Sequence, residues 1–114
     1  MPLLKVQTNI EISDALQIKL LSTLSSATAK ALDKPERYVM ITLETSQSMI
    51  FAGTGQPLAY LELKSLSLPE TETKILSEAL CSLLQQQLGI DPERIYIEFC
   101  NAQRHMWGWN NSTF

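Results

Sequence analysis

An internal repeat is the feature that most constrains how this chain can fold. Residues 2–7, PLLKVQ, are echoed by residues 57–63, PLAYLEL, and residues 33–41, DKPERYVMI, are echoed by residues 91–97, DPERIYI. The two echoes occur in the same order and about half a chain apart, which chance explains poorly. The sequence therefore predicts one domain over residues 1–114, made of two copies of one structural unit, 1–56 and 57–114.

The first copy has the pattern of a strand, a helix and a second strand. Leu4, Val6 and Thr8 alternate with their neighbours, as in a strand, and Ser13 or Asp14 can cap the helix that follows. Lys34-Pro35 predicts the end of that helix. Residues 38–43, YVMITL, read as a strand covered on both faces. The helical stripe comprises Leu16, Leu20, Leu21, Leu24, Ala27 and Ala31.

The second copy repeats this order. A strand is expected over residues 58–66, a helix after Pro69 with Gly89 as its C-terminal cap, and a closing strand over residues 95–99. Right-handed crossovers would place both helices on one face of a four-stranded mixed sheet, giving an α/β (α+β) fold. Apolar side chains left for the other face predict an oligomer in which the open sheet faces meet.

Composition excludes several classes of function. The chain carries 9 basic and 12 acidic residues, a net charge of −3, and this argues against a broad nucleic-acid-binding surface. No apolar run approaches the roughly 20 residues that span a bilayer, and the N-terminus lacks the pattern of a signal peptide, so no membrane insertion and a cytoplasmic location are expected. Its two cysteines, Cys81 and Cys100, form no Cys-x-x-Cys pair, so neither a metal site nor a dithiol site is predicted.

Several motifs together carry a resemblance to a known family. Pro2, Lys34-Pro35, FAGTGQP, GIDPERIYIEF and above all the terminal GWNNSTF resemble the macrophage migration inhibitory factor and D-dopachrome tautomerase family, within the tautomerase superfamily, from end to end. The resemblance implies a homotrimer of duplicated β-α-β subunits. It also implies keto–enol tautomerase activity without a cofactor, on a small aromatic keto acid such as phenylpyruvate or on a dopachrome-type compound. The catalytic base would be the N-terminal proline, freed by removal of Met1.

The resemblance also assigns roles to individual residues. Pro2 matches the catalytic base, Lys34 the lysine that binds the substrate carboxylate, and Leu66 a residue whose backbone amide contacts substrate. The remaining matches are pocket residues, namely Tyr38, Tyr96, Trp109 and Phe114. In the family, the tyrosine that Tyr96 matches comes from a neighbouring subunit.

Two positions depart from the family pattern. Trp107 replaces a smaller apolar residue at the pocket mouth, and Glu98 replaces an asparagine near the proline. A carboxylate there would favour the protonated amine or repel an acidic substrate. Rate and substrate preference are therefore expected to differ from those of the mammalian relatives. The family's Cys-x-x-Cys falls on LAYL here, so no oxidoreductase activity of that kind is expected.

Other interpretations of the same residues stay open. Pro2 can simply start a strand, Lys34 can be a charge at a helix end, and Trp109 and Phe114 can pack at an interface. A second function also stays open, because relatives act as cytokines that leave cells without a signal peptide and engage a cell-surface receptor. A purely structural trimer would show neither activity.

Overall fold

Two β-α-β halves build the sheet of this protein. The structure is a computed structural model and describes residues 1–114. The first half contains β1 (Leu3–Thr8), α1 (Asp14–Leu32) and β2 (Met40–Glu44). The second half contains β3 (Ala59–Leu66), α2 (Thr73–Leu88) and β4 (Ile95–Ala102), and a short hairpin of β5 (Gly108–Trp109) and β6 (Ser112–Thr113) follows.

The four long strands form one mixed sheet in the order β2-β1-β3-β4. β1 runs parallel to β2 and antiparallel to β3, and β3 runs parallel to β4. The predicted four-stranded mixed sheet with two helices is confirmed. No helix in the chain combines the length and the apolar character needed to cross a bilayer.

Local sequence explains both ends of α1. The Ser13 side chain accepts a hydrogen bond from the Leu16 amide, so Ser13 is the cap and Asp14 is the first helical residue. Asp33 takes a left-handed conformation with φ 53°, and the Asp33 and Lys34 amides donate to Lys30 and Ala29. The hydrogen bond from Asp33 to Lys30 is nested inside the one from Lys34 to Ala29, which is the pattern of a Schellman motif. This motif ends the helix before Pro35.

The core lies between the helices and one face of the sheet. Alternate residues of β1 and β3 are buried there, and Leu20 and Leu24 of α1 are fully buried against them. On α2 the buried positions are Leu76, Leu80 and Leu84. The stripe predicted for the first helix was too wide, because Leu16 remains exposed at the edge of α1.

The prediction of a strand from Tyr38 was wrong. Residues Glu36–Tyr38 form a single 3-10 turn in which the Tyr38 and Val39 amides donate to Pro35 and Glu36. β2 therefore begins at Met40. It is also an edge strand without a fully buried residue, not a strand covered on both faces.

The open face of the sheet is polar, contrary to the expectation from sequence. Ile97 and Phe99 pair with Leu61 and Leu63, and residues paired in this way share the helix-covered face. The opposite face carries most of the polar side chains of the sheet, namely Lys5, Gln7, Thr42, Glu44, Tyr60, Glu62, Lys64, Tyr96 and Glu98. An apolar open face therefore does not provide a reason for this chain to associate.

Candidate active site

A pocket of about 440 Å³ lies at the beginning of β1, between the turn before β2 and the C-terminal hairpin. It is called the aromatic pocket below, because aromatic rings form much of its wall. Eight of its eleven lining residues are hydrophobic. These eleven are Met1, Pro2, Leu3, Arg37, Tyr38, Val39, Met40, Trp107, Gly108, Trp109 and Phe114.

Pro2 lies buried in this pocket at the start of the sheet. Its carbonyl accepts a hydrogen bond of 3.0 Å from the Met40 amide, which ties the start of β1 to the start of β2. Met1 is half-buried and lines the same pocket. With Met1 attached the Pro2 nitrogen is an amide, and the only free amine at this position belongs to Met1.

The local electrostatics act on that amine. Burial lowers the pKa of the Met1 amine below its ordinary value, and the nearby positive charge of Lys34 lowers it further. Both effects disfavour the ammonium form. The pocket therefore favours a neutral amine at the start of the chain.

The C-terminal hairpin supplies one wall of the pocket. Asn110 and Asn111 have φ values of 53° and 60°, the left-handed pair that a tight two-residue hairpin turn requires and that asparagine tolerates well. The Phe114 amide donates to the Trp107 carbonyl at 3.2 Å, and the Arg104 guanidinium donates to the Phe114 carbonyl. The NN dipeptide of GWNNSTF thus folds the chain end back over the pocket.

The aromatic rings of the wall contact one another. Trp109 and Phe114 stack at 5.1 Å with an interplanar angle of 11°. Tyr38 meets both rings edge-on, at 5.7 Å from Trp109 and 6.2 Å from Phe114. Because Tyr38 lies in the 3-10 turn and not in β2, its ring is available to this cluster.

The structure brings together five of the nine residues singled out from sequence: Pro2, Tyr38, Trp107, Trp109 and Phe114 line one pocket. Lys34 does not line the pocket, although its charge acts on the amine there.

The other three lie elsewhere in the chain. Leu66 is 3% exposed at the end of β3, so little of this residue is accessible to a ligand within a single chain. Tyr96 is 65% exposed and packs against Phe51 at 4.8 Å. Glu98 accepts a hydrogen bond from the Tyr60 hydroxyl at 3.4 Å.

Sequence reasoning overlooked several pocket residues. Arg37 and Met40 are the most informative of them, because both carry long side chains into the lining. Arg37 belongs to the PER triplet, which in the sequence indicates only the internal repeat. Its position one residue before Tyr38 was the available signal.

A sheet of two β-α-β units with an N-terminal proline set in an aromatic pocket has the architecture of the tautomerase superfamily. Residues 1–114 match the model of the macrophage migration inhibitory factor family over their whole length, and the chain belongs to this family. The resemblance identified from sequence is therefore confirmed.

Individual relatives agree over nearly the full chain. Macrophage migration inhibitory factor from Meriones unguiculatus is 36% identical over 115 residues, covering 100% of this chain and 99% of the relative. The crystal structure of a homologue from Prochlorococcus marinus superposes with a TM-score of 0.91 at 40% identity, covering 98% of both chains. The structure from Trichinella spiralis superposes with a TM-score of 0.92 at 31% identity, covering 98% of this chain and 99% of that one.

Proposed function

We propose that this protein is a keto–enol tautomerase that acts on a small aromatic keto acid of the phenylpyruvate type or on a dopachrome-type compound. The catalytic base is the α-amine of Pro2, freed by removal of Met1. The observation that supports this proposal is the location of the chain's amino terminus inside an apolar, aromatic pocket. A small second residue such as proline permits methionine removal, and removal also clears the part of the pocket that Met1 lines.

The amine of Pro2 suits this chemistry because its basicity lies near neutrality. A free α-amine titrates near ~8, whereas a lysine titrates near ~10.4. Burial and Lys34 already lower the pKa of the Met1 amine, and the Pro2 nitrogen lies one residue deeper. A substantial neutral fraction at neutral pH lets this amine act as a general base.

Proton transfer then runs between carbon and oxygen of the substrate. The neutral amine takes a proton from the carbon next to the carbonyl, so the C–H bond breaks and an N–H bond forms. The C–H electron pair becomes the C=C bond, and the carbonyl oxygen accepts a proton from water to give the enol. The ammonium releases its proton to solvent, and ketonisation reverses each of these transfers.

The surrounding residues bind the substrate in this proposal. Tyr38, Trp109 and Phe114 pack against the aryl group, and Trp107 narrows the mouth. Lys34 attracts the substrate carboxylate and the Leu66 backbone amide contacts the substrate, as the family resemblance implies. No cofactor enters the reaction, since base, substrate and water complete the proton balance.

We further propose a homotrimer in which a neighbouring subunit completes each site. Tyr96 is exposed on the open face of edge strand β4, outside the pocket of its own chain. Glu98 is two residues further on and shares that face. A neighbour that places Tyr96 at the aromatic pocket would therefore bring Glu98 close to it as well.

Replacement of the Pro2 ring amine should abolish most of the activity. Pro2→Gly keeps an α-amine but loses the ring that holds it in position, so we expect the rate of phenylpyruvate ketonisation to fall by about 100-fold or more, the usual contribution of a positioned base. An alanine inserted between Met1 and Pro2 should have a similar effect, because the free amine is then displaced by one residue. The measurement is enol absorbance decay, with intact mass of the same sample to establish that Met1 is absent.

The matched control is Pro57→Gly. Pro57 occupies the equivalent position in the second copy, just before a strand, but it lies outside the pocket. Its replacement should leave ketonisation unchanged. Equal rates for wild type and Pro2→Gly would contradict the proposal.

Receptor binding of the cytokine type remains the alternative function, on family membership alone. Binding of a receptor ectodomain by wild type and Pro2→Gly alike, together with ketonisation in neither, would favour it.

A further inference from the structure

The two PER triplets of the repeat place their arginines in very different surroundings. Arg37 is the middle residue of the 3-10 turn Glu36–Tyr38, and Arg94 is the last residue of the 3-10 turn Pro92–Arg94; each turn leads into a strand. The two triplets share the sequence PER, but their turns begin one residue apart relative to it, so position in the turn and surroundings together distinguish the two guanidinium groups.

Arg94 has a structural role. Its guanidinium donates four hydrogen bonds, to the carbonyls of Phe51, Thr54, Gln56 and Pro57, at distances of 3.0 to 3.1 Å. The same group lies 5.3 Å from the centroid of the Phe51 ring. Four backbone acceptors leave this arginine largely saturated, and it holds the loop between β2 and β3 in place.

Arg37 makes no comparable set of bonds. Its guanidinium carbon lies 4.7 Å from the centroid of the Tyr38 ring, a cation–π contact that uses the flat face and leaves the N–H donors at the edge free. It is exposed at the aromatic pocket, and it is the only charged side chain that lines the pocket. Lys34 is absent from that lining.

We propose that Arg37 binds the acidic group of the substrate at the mouth of the aromatic pocket and makes the site selective for anionic substrates over neutral ones. This inference rests on the proposed tautomerase function and adds a specificity residue to it. A guanidinium presents paired N–H donors that match the two oxygens of a carboxylate. The contact with Tyr38 fixes the guanidinium beside the rings that would hold the aryl group.

The experiment compares an acid with its neutral ester. Ketonisation of phenylpyruvate and of methyl phenylpyruvate is measured for wild type, Arg37→Gln and Arg37→Lys. The control is Lys74→Gln, which removes one positive charge from the exposed surface of α2. We expect Arg37→Gln to raise KM for the acid about tenfold, the low end for a hydrogen bond to a charged group at an exposed site. Its kcat for the acid and its KM for the ester should stay within about twofold. Arg37→Lys should recover part of the loss, and Lys74→Gln should match wild type.

A binding measurement keeps this inference separate from the catalytic one. Hydrocinnamate, an unreactive arylalkyl carboxylate, is titrated while tryptophan fluorescence is followed. We expect its Kd to rise about tenfold in Arg37→Gln and to stay unchanged in Lys74→Gln. An unchanged acid-to-ester preference with an unchanged Kd would overturn the role of Arg37. Wild type that turns over neither substrate would overturn the proposed function, and the Kd shift alone would then still decide whether Arg37 binds anions.

Discussion

At the scale of single residues, the surroundings of the N-terminal amine determine its basicity. Burial is the larger cause of the lowered pKa of the Met1 amine, and the charge of Lys34 is the smaller one. Lys34 need not touch a substrate to exert this influence. Its electrostatic role is therefore separable from the carboxylate binding that the family resemblance assigns to it.

Lys34→Ala should move the acidic limb of the rate profile. Lys34 holds the amine's pKa down, so its loss lets that pKa rise, and the neutral fraction then develops at higher pH. We expect the low-pH limb of kcat/KM for phenylpyruvate to shift to higher pH. The shift should be partial, because burial remains.

Lys30→Ala is the matched control for that profile. Lys30 lies in the last turn of α1, four residues before Lys34, and is exposed. It should alter helix stability by ~0.3–1 kcal/mol through the helix dipole and leave the profile in place. A profile unchanged in both variants would show that Lys34 has no influence on the base.

At the scale of elements, the smallest element carries much of the proposed site. β5 and β6 contribute two residues each, yet their turn determines where Trp109 and Phe114 lie. The turn depends on two consecutive left-handed residues. Asparagine supplies this conformation with little strain, whereas a β-branched residue does not.

Asn111→Val should disorder the pocket wall, and Asn111→Gly should not. Valine in a left-handed conformation costs ~1–2 kcal/mol, a large penalty for a two-stranded hairpin. Glycine follows asparagine in the favoured form of this turn. We expect Asn111→Val to raise KM for phenylpyruvate and to weaken the near-ultraviolet circular dichroism of the tryptophans. Equal spectra for the two variants would show that the turn does not position the rings.

At the scale of the whole molecule, the polar open face changes the reason to expect a trimer. Lys5, Glu62 and Glu98 follow one another across that face, so water can solvate it. The two edge strands, β2 and β4, are left with unpaired backbone groups, and edges of this kind invite pairing with another chain. We expect the subunits to join through these edges.

Sedimentation should give three times the chain mass of 12.8 kDa.

Subunit mixing should show that the sites are shared. Tyr96→Ala and Pro2→Gly are each expected to have little activity. A mixed trimer contains sites with Pro2 from one variant and Tyr96 from the other, about a quarter of all sites in an equal mixture. Activity should therefore return after the two are unfolded and refolded together. Full activity of Tyr96→Ala would place Tyr96 outside the site, and mixing without recovery would contradict a site shared between subunits.

The sequence was sufficient for the fold and for part of the proposed site. Periodicity and the repeat predicted both β-α-β units, because alternating and helical patterns record burial directly. Tyr38 was misplaced in a strand, since a 3-10 turn after Pro35 leaves no periodic signal. The lack of hydrogen-bond partners of the Arg37 guanidinium could not be predicted either, because it emerges only from comparison with Arg94 in three dimensions. That Tyr96 and Glu98 lie away from the pocket could not be predicted either, because this depends on the strand order, which puts β4 at one edge of the sheet.

The Arg94 bonds also have a consequence for motion. Arg94 anchors the loop between β2 and β3 together with Asn9, whose side chain bonds Gly55, Gln56 and Leu58. The loop also contains a tight turn between Phe51 and Thr54. Release of the guanidinium would free four carbonyls together, so we expect the residues around Phe51 to open as one unit. Phe51 leaves with it and uncovers the Tyr96 ring. The lifetime of the Arg94 hydrogen bonds would thus influence how long Phe51 supports Tyr96 for the proposed contact with a neighbouring chain.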